Sequence, residues 1–237
     1  TQFNALLDRL ADAYRQLESF NADVAHELNT PLSTLISSTE VVLRKPRTVE
    51  EMREVLESNL EDLRRIAAMV GDMLFLSRAD RGAGTREAKV FSLAAVAADV
   101  VEFYEAVALE ADLTVEVRGD AQLQFDAPLM RRALSNLLSN AIKFSNENSE
   151  VLVKMEEQGD TVVVSVKDSG CGIDEEGQQK LLHTDTHFST FGTNNEEGSG
   201  LGLLLCQDFA VKSGGKLWFT SKKGEGSTFY FSIPLKK

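Results

Sequence analysis

Apolar residues recur at alternating spacings of three and four from the start of the chain: Phe3, Leu7, Leu10, Tyr14, Leu17, Asn21, Val24, Leu28, Pro31, Leu35, Ser38 and Val42. Such a stripe is the packing seam of a long helix, with Asn21 and Ser38 as polar interruptions. The helix should stop at Lys45, because the residue before Pro46 is pushed out of the right-handed helical region. Thr48-Val-Glu-Glu51 has the form of a capping box. A second seam follows it: Met52, Leu56, Asn59, Leu63, Ile66, Val70 and Met73, ending near Ser77. Two antiparallel helices joined by a few residues make a hairpin. One hairpin cannot bury both stripes, whereas two copies can do so as a four-helix bundle, so a homodimer is expected.

The stretch DRGAGTREA (80–88) is polar with two glycines and reads as a hinge, which divides the chain at residues 81–89. Beyond it the period changes. Leu93 to Glu110, Ala127 to Phe144 and Leu201 to Lys212 predict helices. Residues 113–117 (LTVEV) alternate as a strand does. Residues 151–155 and 161–168 predict a hairpin around Gly159-Asp160, and 216–221 with 227–233 a second one turning at Gly224-Glu225-Gly226. Helices and antiparallel strands mix without strict alternation, so this half is α+β.

Charge narrows the choice of partner. A net charge of −12 argues against nucleic acid and against an anionic membrane surface. The two cysteines, Cys171 and Cys206, make no disulfide framework, which fits a reducing compartment. No apolar run approaches the ~20 residues of a membrane span. There is no signal peptide, and the first residues already lie inside a helical pattern, as though cut from a longer chain.

Three stretches carry candidate chemistry. In VAHELNTPL (24–32), His26 falls two residues after the seam position Val24 and faces outward. Glu27 adjoins it, Thr30 lies one turn on along the same side, and Pro31 removes a backbone bond and should bend the helix there. A histidine on a solvated face is the plain alternative. DSGCGI (168–173) follows a buried-looking strand, and GSGLGL (198–203) opens a helix. Glycines there let backbone approach a ligand, and a helix N-terminus offers N–H groups to phosphate. Neither is a Walker A loop or, lacking a βαβ setting, a dinucleotide fingerprint. Asn136 and Asn140 lie one turn apart in LSNLLSNAIKF; with Lys143 they suggest a Mg2+–phosphate site, against the plainer alternatives of capping or a polar face.

Together these stretches resemble the sensor histidine kinase core of bacterial two-component systems, over nearly the whole chain. FNADVAHELNTPL is similar to the H box, LSNLLSNAIKFS to the N box, DSGCGI to the G1 box and GSGLGL to the G2 box. LLDRLADAYRQLESF resembles the linker helix that leaves a HAMP domain, most like metal-responsive membrane sensors. The implied fold is α plus α/β. Residues 1–20 form a signalling linker helix, and 21–80 the dimerisation and histidine phosphotransfer hairpin of a dimeric four-helix bundle. Residues 90–237 form a Bergerat-type (GHKL) ATP-binding sandwich.

The resemblance also implies roles. His26 attacks the γ-phosphate of ATP, Glu27 fixes its tautomer and serves as base, and Thr30 serves dephosphorylation of the partner, a response-regulator receiver domain. Asp168 receives the adenine amino group, while Gly170 and Gly172 let the nucleotide approach. Asn140, with Asn136 nearby, holds Mg2+, and Lys143 faces phosphate. Gly198, Gly200 and Gly202 shape the end of an ATP lid that contains Phe188. The chain would be a cytoplasmic fragment of a parent anchored in the inner membrane, touching membrane only through segments preceding it.

Two departures stand out. Asn29 occupies a place often basic in the family, and residues 183–198 lack the usual arginine. His183 and His187 are spaced as a metal pair, without an evident third ligand. Composition also steps midway. Residues 1–145 hold 13 arginines, 3 lysines and 21 alanines, and residues 146–237 hold no arginine, 9 lysines and one alanine. A chimera of two kinases joined in or near 136–145 would give this step, as would one natural gene of uneven composition. The rival functional classes are another ATPase of the same nucleotide fold and a non-catalytic dimeric signalling scaffold.

Overall fold

The computed structural model describes Leu7, Val24, Ala25 and residues 28–79, 90–182 and 201–235. The linker before Val24, the hinge 81–89, His26, Glu27 and the segment 183–200 lie outside these residues. The chain divides into two compact units, Thr1–Ser77 and Arg78–Lys237.

In the first unit, helix α1 covers residues 28–44 and continues through Pro31, giving way to a bend at Lys45 just before Pro46. Helix α2, Val49–Ala79, begins on the capping box that the sequence predicts. The Thr48 hydroxyl accepts from Glu51 N (3.1 Å), and Glu51 returns a carboxylate oxygen to Thr48 N (2.9 Å). Two orphan N–H groups are thereby satisfied at once. The backbone N–H of Thr48 holds the Glu51 carboxyl below its ordinary value.

The polar interruptions of the two seams find each other. Ser38 Oγ donates to Asn59 Oδ1 (2.7 Å), and Asn59 Nδ2 donates to Thr39 Oγ1 (3.1 Å). These bonds set α1 and α2 antiparallel in a fixed register.

Leu28, Pro31, Leu35, Ser38 and Val42 are the less exposed positions of α1, as their spacing predicts. Within one protomer the covered positions of α2 coincide with the expected stripe at Asn59, Ile66 and Met73 and otherwise lie beside it. Val55, Asn59, Asp62, Ile66, Met69 and Met73 are the better covered positions, while Leu56, Leu60, Leu63 and Val70 are exposed. The reason is that α2 carries two adjacent apolar stripes and periodicity alone does not rank them. A second apolar row thus stays open to solvent, together with Leu32 and Ile36 of α1.

The second unit is a two-layer sandwich. Its elements are β1 (Val90–Ser92), α3 (Leu93–Glu110), β2 (Thr114–Arg118), β3 (Gln122–Gln124), α4 (Ala127–Phe144), β4 (Glu150–Gln158), β5 (Thr161–Lys167), α5 (Glu175–Leu182), α6 (Leu201–Lys212), β6 (Leu217–Lys222) and β7 (Gly226–Pro234). Five strands form one sheet in the order β2-β4-β5-β7-β6. Only the β2–β4 pair is parallel. Alternation along β4, β5 and β7 turns Val151, Val153, Met155, Val162, Val164, Val166, Phe231 and Ile233 into the core. There they meet α3, α4 and α6, whose apolar faces include Val96, Leu134, Leu137, Leu138 and Phe209.

The predicted helices and both hairpins of this half are present. Three elements were not read from the pattern. These are α5 and the short antiparallel pair β1–β3, all too brief to show a period.

Candidate functional site

Helix α4 brings the asparagines into place. Asp126 caps it by accepting from Leu129 N (3.1 Å), and Pro128 occupies the first turn, where its missing N–H costs nothing. Its buried face is Met130, Ala133, Leu134, Leu137, Leu138, Ala141 and Ile142. Asn136, Asn140 and Lys143 follow one another at the half-buried margin of that face. Asn136 Nδ2 donates to Gly202 O (3.3 Å), which ties α4 to the first turn of α6. A Cβ at Gly202 would sit 3.4 Å from the Asn136 side chain, so the two helices approach closely there. Asn140 has no side-chain partner among the described residues. The Lys143 ammonium lies over the Phe144 ring, 5.3 Å from its centroid.

The end of α4 rests against the loop that follows β5. Ser145 pairs with Gly170 in an isolated bridge. Cys171 N donates to Phe144 O (3.3 Å), and Asn146 Nδ2 to Ser169 O (2.9 Å). Asn140 therefore lies about one turn, and Lys143 one residue, from the contact with the Asp168 loop.

Asp168 is a buried carboxylate, 5% exposed. Its Oδ1 accepts from Gly170 N (3.0 Å) and from Ser227 N (3.1 Å). Oδ2 has no protein partner among the described residues and is not sealed from solvent. Burial raises the Asp168 carboxyl above its ordinary value, and the backbone N–H bonds offset part of that. One oxygen is thus fixed by backbone, and the other makes no bond among the described residues.

The loop glycines lie against the chain's own backbone. A Cβ on Gly170 would lie 1.8 Å from Phe144 O. A Cβ on Gly172, whose φ is +63°, would lie 2.0 Å from Lys222 O. The chain's own backbone already fills the space that a side chain would take. These glycines are required to seat the loop between α4 and the β6–β7 turn, before any nucleotide arrives.

Of the remaining candidates, Thr30 is exposed on α1, and its carbonyl accepts from Thr34 Oγ1 (3.2 Å). His26, Glu27, Phe188, Gly198 and Gly200 lie outside the described residues, as do His183 and His187. Sequence reasoning missed Gly226, Ser227, Ser221 and Gln178, which support the Asp168 loop. The Gly224-x-Gly226-Ser227 turn was a signal for the first two. Nothing marked Gln178, because its partners are backbone carbonyls, one of them 43 positions away.

A mixed sheet with a helical layer, a buried carboxylate after β5 and an asparagine helix beside it define a nucleotide-binding domain. Residues 125–237 match the model of the histidine kinase-, DNA gyrase B- and HSP90-like ATPases, and residues 16–82 match the His Kinase A (phospho-acceptor) domain. The chain belongs to the sensor histidine kinases.

It is 34% identical over 232 residues to the sensor protein IrlS of Burkholderia pseudomallei, a match over 98% of the chain and 50% of IrlS. It is 36% identical over 234 residues to the probable sensor protein PcoS of Escherichia coli, over 99% of the chain and 50% of PcoS. The chain spans about half the length of the curated relatives it matches.

Among solved structures, the fold is similar to the histidine kinase AdeS of Acinetobacter baumannii (TM-score 0.70, 21% identity, 90% of this chain and 98% of that one). It is also similar to the histidine kinase ThkA solved in complex with the response regulator TrrA (TM-score 0.73, 24% identity, 95% and 64%). Among the described residues, no helix is long and apolar enough to cross a membrane.

Proposed function

We propose that this chain is the catalytic core of a membrane-anchored sensor, transferring the γ-phosphoryl group of ATP to His26 and then to an aspartate of a response-regulator receiver domain. The observation that carries the nucleotide half is the Asp168 carboxylate, with one oxygen locked by two backbone N–H groups and the other left as an acceptor without a bond among the described residues. Such an acceptor fits the exocyclic amino group of adenine. Asn140, whose amide makes no bond within the described residues, fits as a Mg2+ ligand through Oδ1, and the ion would neutralise phosphate charge. Asn136 acts mainly by anchoring α6 to α4, because its amide nitrogen is committed to Gly202. Lys143 faces the phosphates. Phe188, Gly198 and Gly200 belong to the lid, with Gly202 at its end.

The phospho-acceptor half rests on His26, which the spacing from Val24 in the sequence puts off the packing seam. Attack needs a neutral imidazole with a lone pair aimed outward. Glu27 accepts the Nδ1–H, which leaves Nε2 as nucleophile, and draws off charge as the N–P bond forms. The ATP domain contributes positioning and charge neutralisation. Thr30 orients water for hydrolysis of the regulator's acyl phosphate, which releases inorganic phosphate. The open apolar row of Leu32, Ile36, Leu56, Leu60 and Leu63 supports a homodimer, because such a row is costly to leave in water.

The test is a two-stage transfer. The chain is incubated with γ-labelled Mg·ATP, stripped of nucleotide, and mixed with a receiver domain. Label should move to the receiver and be lost faster from wild type than from Thr30→Ala. A chain that hydrolyses ATP yet never holds protein-bound phosphate is instead an ATPase of the same fold. A chain that does neither is a scaffold.

A further inference from the structure

The loop carrying Asp168 is braced from below by a hydrogen-bond junction that the phosphotransfer reading leaves unused. Its centre is Ser221, the penultimate residue of β6. Ser221 Oγ accepts from Ile173 N (2.8 Å) and donates to Gly226 O (3.1 Å). It also lies 2.9 Å from Ser227 Oγ. A hydroxyl has one proton and two lone pairs. With its proton on Gly226 O, Ser221 accepts from both Ile173 N and the Ser227 hydroxyl, and all three of its sites are used.

The second member is Gln178 on α5. Its Nε2 donates to Ile173 O (2.7 Å) and to Ser221 O (3.1 Å), using both amide hydrogens. The start of α5 is itself fixed by Asp174, which accepts from Gly177 N (3.0 Å) and takes the Lys223 ammonium at 3.1 Å. Gly224 N closes the other side of the loop on Cys171 O (2.7 Å). The junction thus joins the far end of the 168–173 loop to the same β7 start whose Ser227 N–H holds Asp168 Oδ1.

We infer that Gln178 and Ser221 are positioning residues for adenine selection: they fix the distance between the two ends of the loop and so the direction in which Asp168 Oδ2 points. This rests on the adenine role proposed for Asp168. A carboxylate distinguishes a 6-amino purine from a 6-keto purine only when its free oxygen is held in the base plane. A loosened loop keeps its charge but loses that direction. Losing Gln178 therefore weakens adenine nucleotides selectively. Losing a merely structural strut would weaken all purine nucleotides alike, or none.

The experiment is equilibrium binding of Mg·ATP and Mg·ITP to the full chain, with thermal unfolding of each variant alongside. ITP carries a 6-keto group in place of the 6-amino group. For wild type, ATP should bind tighter than ITP. Gln178→Ala should weaken ATP roughly tenfold, in the range of one or two lost hydrogen bonds, and leave ITP within about twofold, so that the ratio collapses. Gln178→Glu should weaken ATP further, because a carboxylate oxygen then faces the Ile173 and Ser221 carbonyls. Ser221→Ala should reproduce the collapse from the other side of the junction, which keeps the test alive if one variant folds poorly. An unchanged ATP-to-ITP ratio in folded Gln178→Ala and Ser221→Ala overturns the inference, as does parallel weakening of both nucleotides. A wild type without preference for ATP overturns the adenine role of Asp168, and this inference with it.

Discussion

At Asp168 two demands pull against each other. The carboxylate is buried, which costs stability, and burial raises its carboxyl above the ordinary value. Replacement by Asn keeps the shape and lets Oδ1 accept the same two N–H groups. It turns Nδ2 outward, so that a donor faces the adenine amino donor. Asp168→Asn should therefore weaken Mg·ATP by about 2 kcal/mol or more, roughly thirtyfold in Kd, without lowering the melting temperature of the free chain at neutral pH. A group whose folded pKa is raised contributes stability below its unfolded value of 3.8, and loses it as pH rises through the folded value. The variant's advantage in melting should then shrink as pH is lowered towards 4. Calorimetric titration and melting curves across pH check both parts. At Gly172 the opposite balance is expected. A side chain there is strained at φ +63° and collides with Lys222 O, so Gly172→Ala should cost about 1–3 kcal/mol in the free chain. Denaturant unfolding without nucleotide reads that loss.

At the scale of elements, α2 depends on its first turn. Thr48→Ala removes the cap and the support for Glu51, and should cost about 1 kcal/mol of hairpin stability. The sign of the pH effect is opposite to that at Asp168. Glu51 is held below its ordinary value of 4.5, so its contribution is present above that pH and fades as pH falls through the folded value. Helical signal recorded across acid pH should show the difference between wild type and Glu51→Gln narrowing as Glu51 protonates.

What the sequence disclosed at this scale follows length and period. Helices α3, α4 and α6 and the β4–β5 and β6–β7 hairpins repeat their patterns often enough to be read. The pair β1–β3 has three residues per strand, and α5 has eight. On α2 two adjacent apolar rows compete, and period alone does not say which of them faces α1. The Asp168 pocket was legible because the glycines and the acid are adjacent in sequence. The Gln178–Ser221 junction was not, since its partners lie 43 positions apart and one of them is a backbone carbonyl.

At the scale of the whole molecule, residues 1–145 and 146–237 differ sharply in arginine and alanine content. The match to IrlS covers 98% of the chain, both sides of that step included. A chimeric junction in or near 136–145 stays a proposal. Aligning each half separately with natural kinases should return two different parents, and one natural parent matching both halves across 136–145 would refute it.

The central claim is that one unit supplies the nucleotide and the other the acceptor histidine. The most direct measurement is phosphate on His26. Wild type is incubated with γ-labelled Mg·ATP, digested, and the acid-labile phosphopeptide is sequenced, beside His26→Gln under the same conditions. We expect phosphate on His26 in wild type, none in His26→Gln, and Mg·ATP affinity in that variant unchanged within about twofold, because the nucleotide groups all lie in the second unit. Phosphate on another residue, or a loss of ATP affinity in His26→Gln as severe as in Asp168→Asn, would contradict this division of labour.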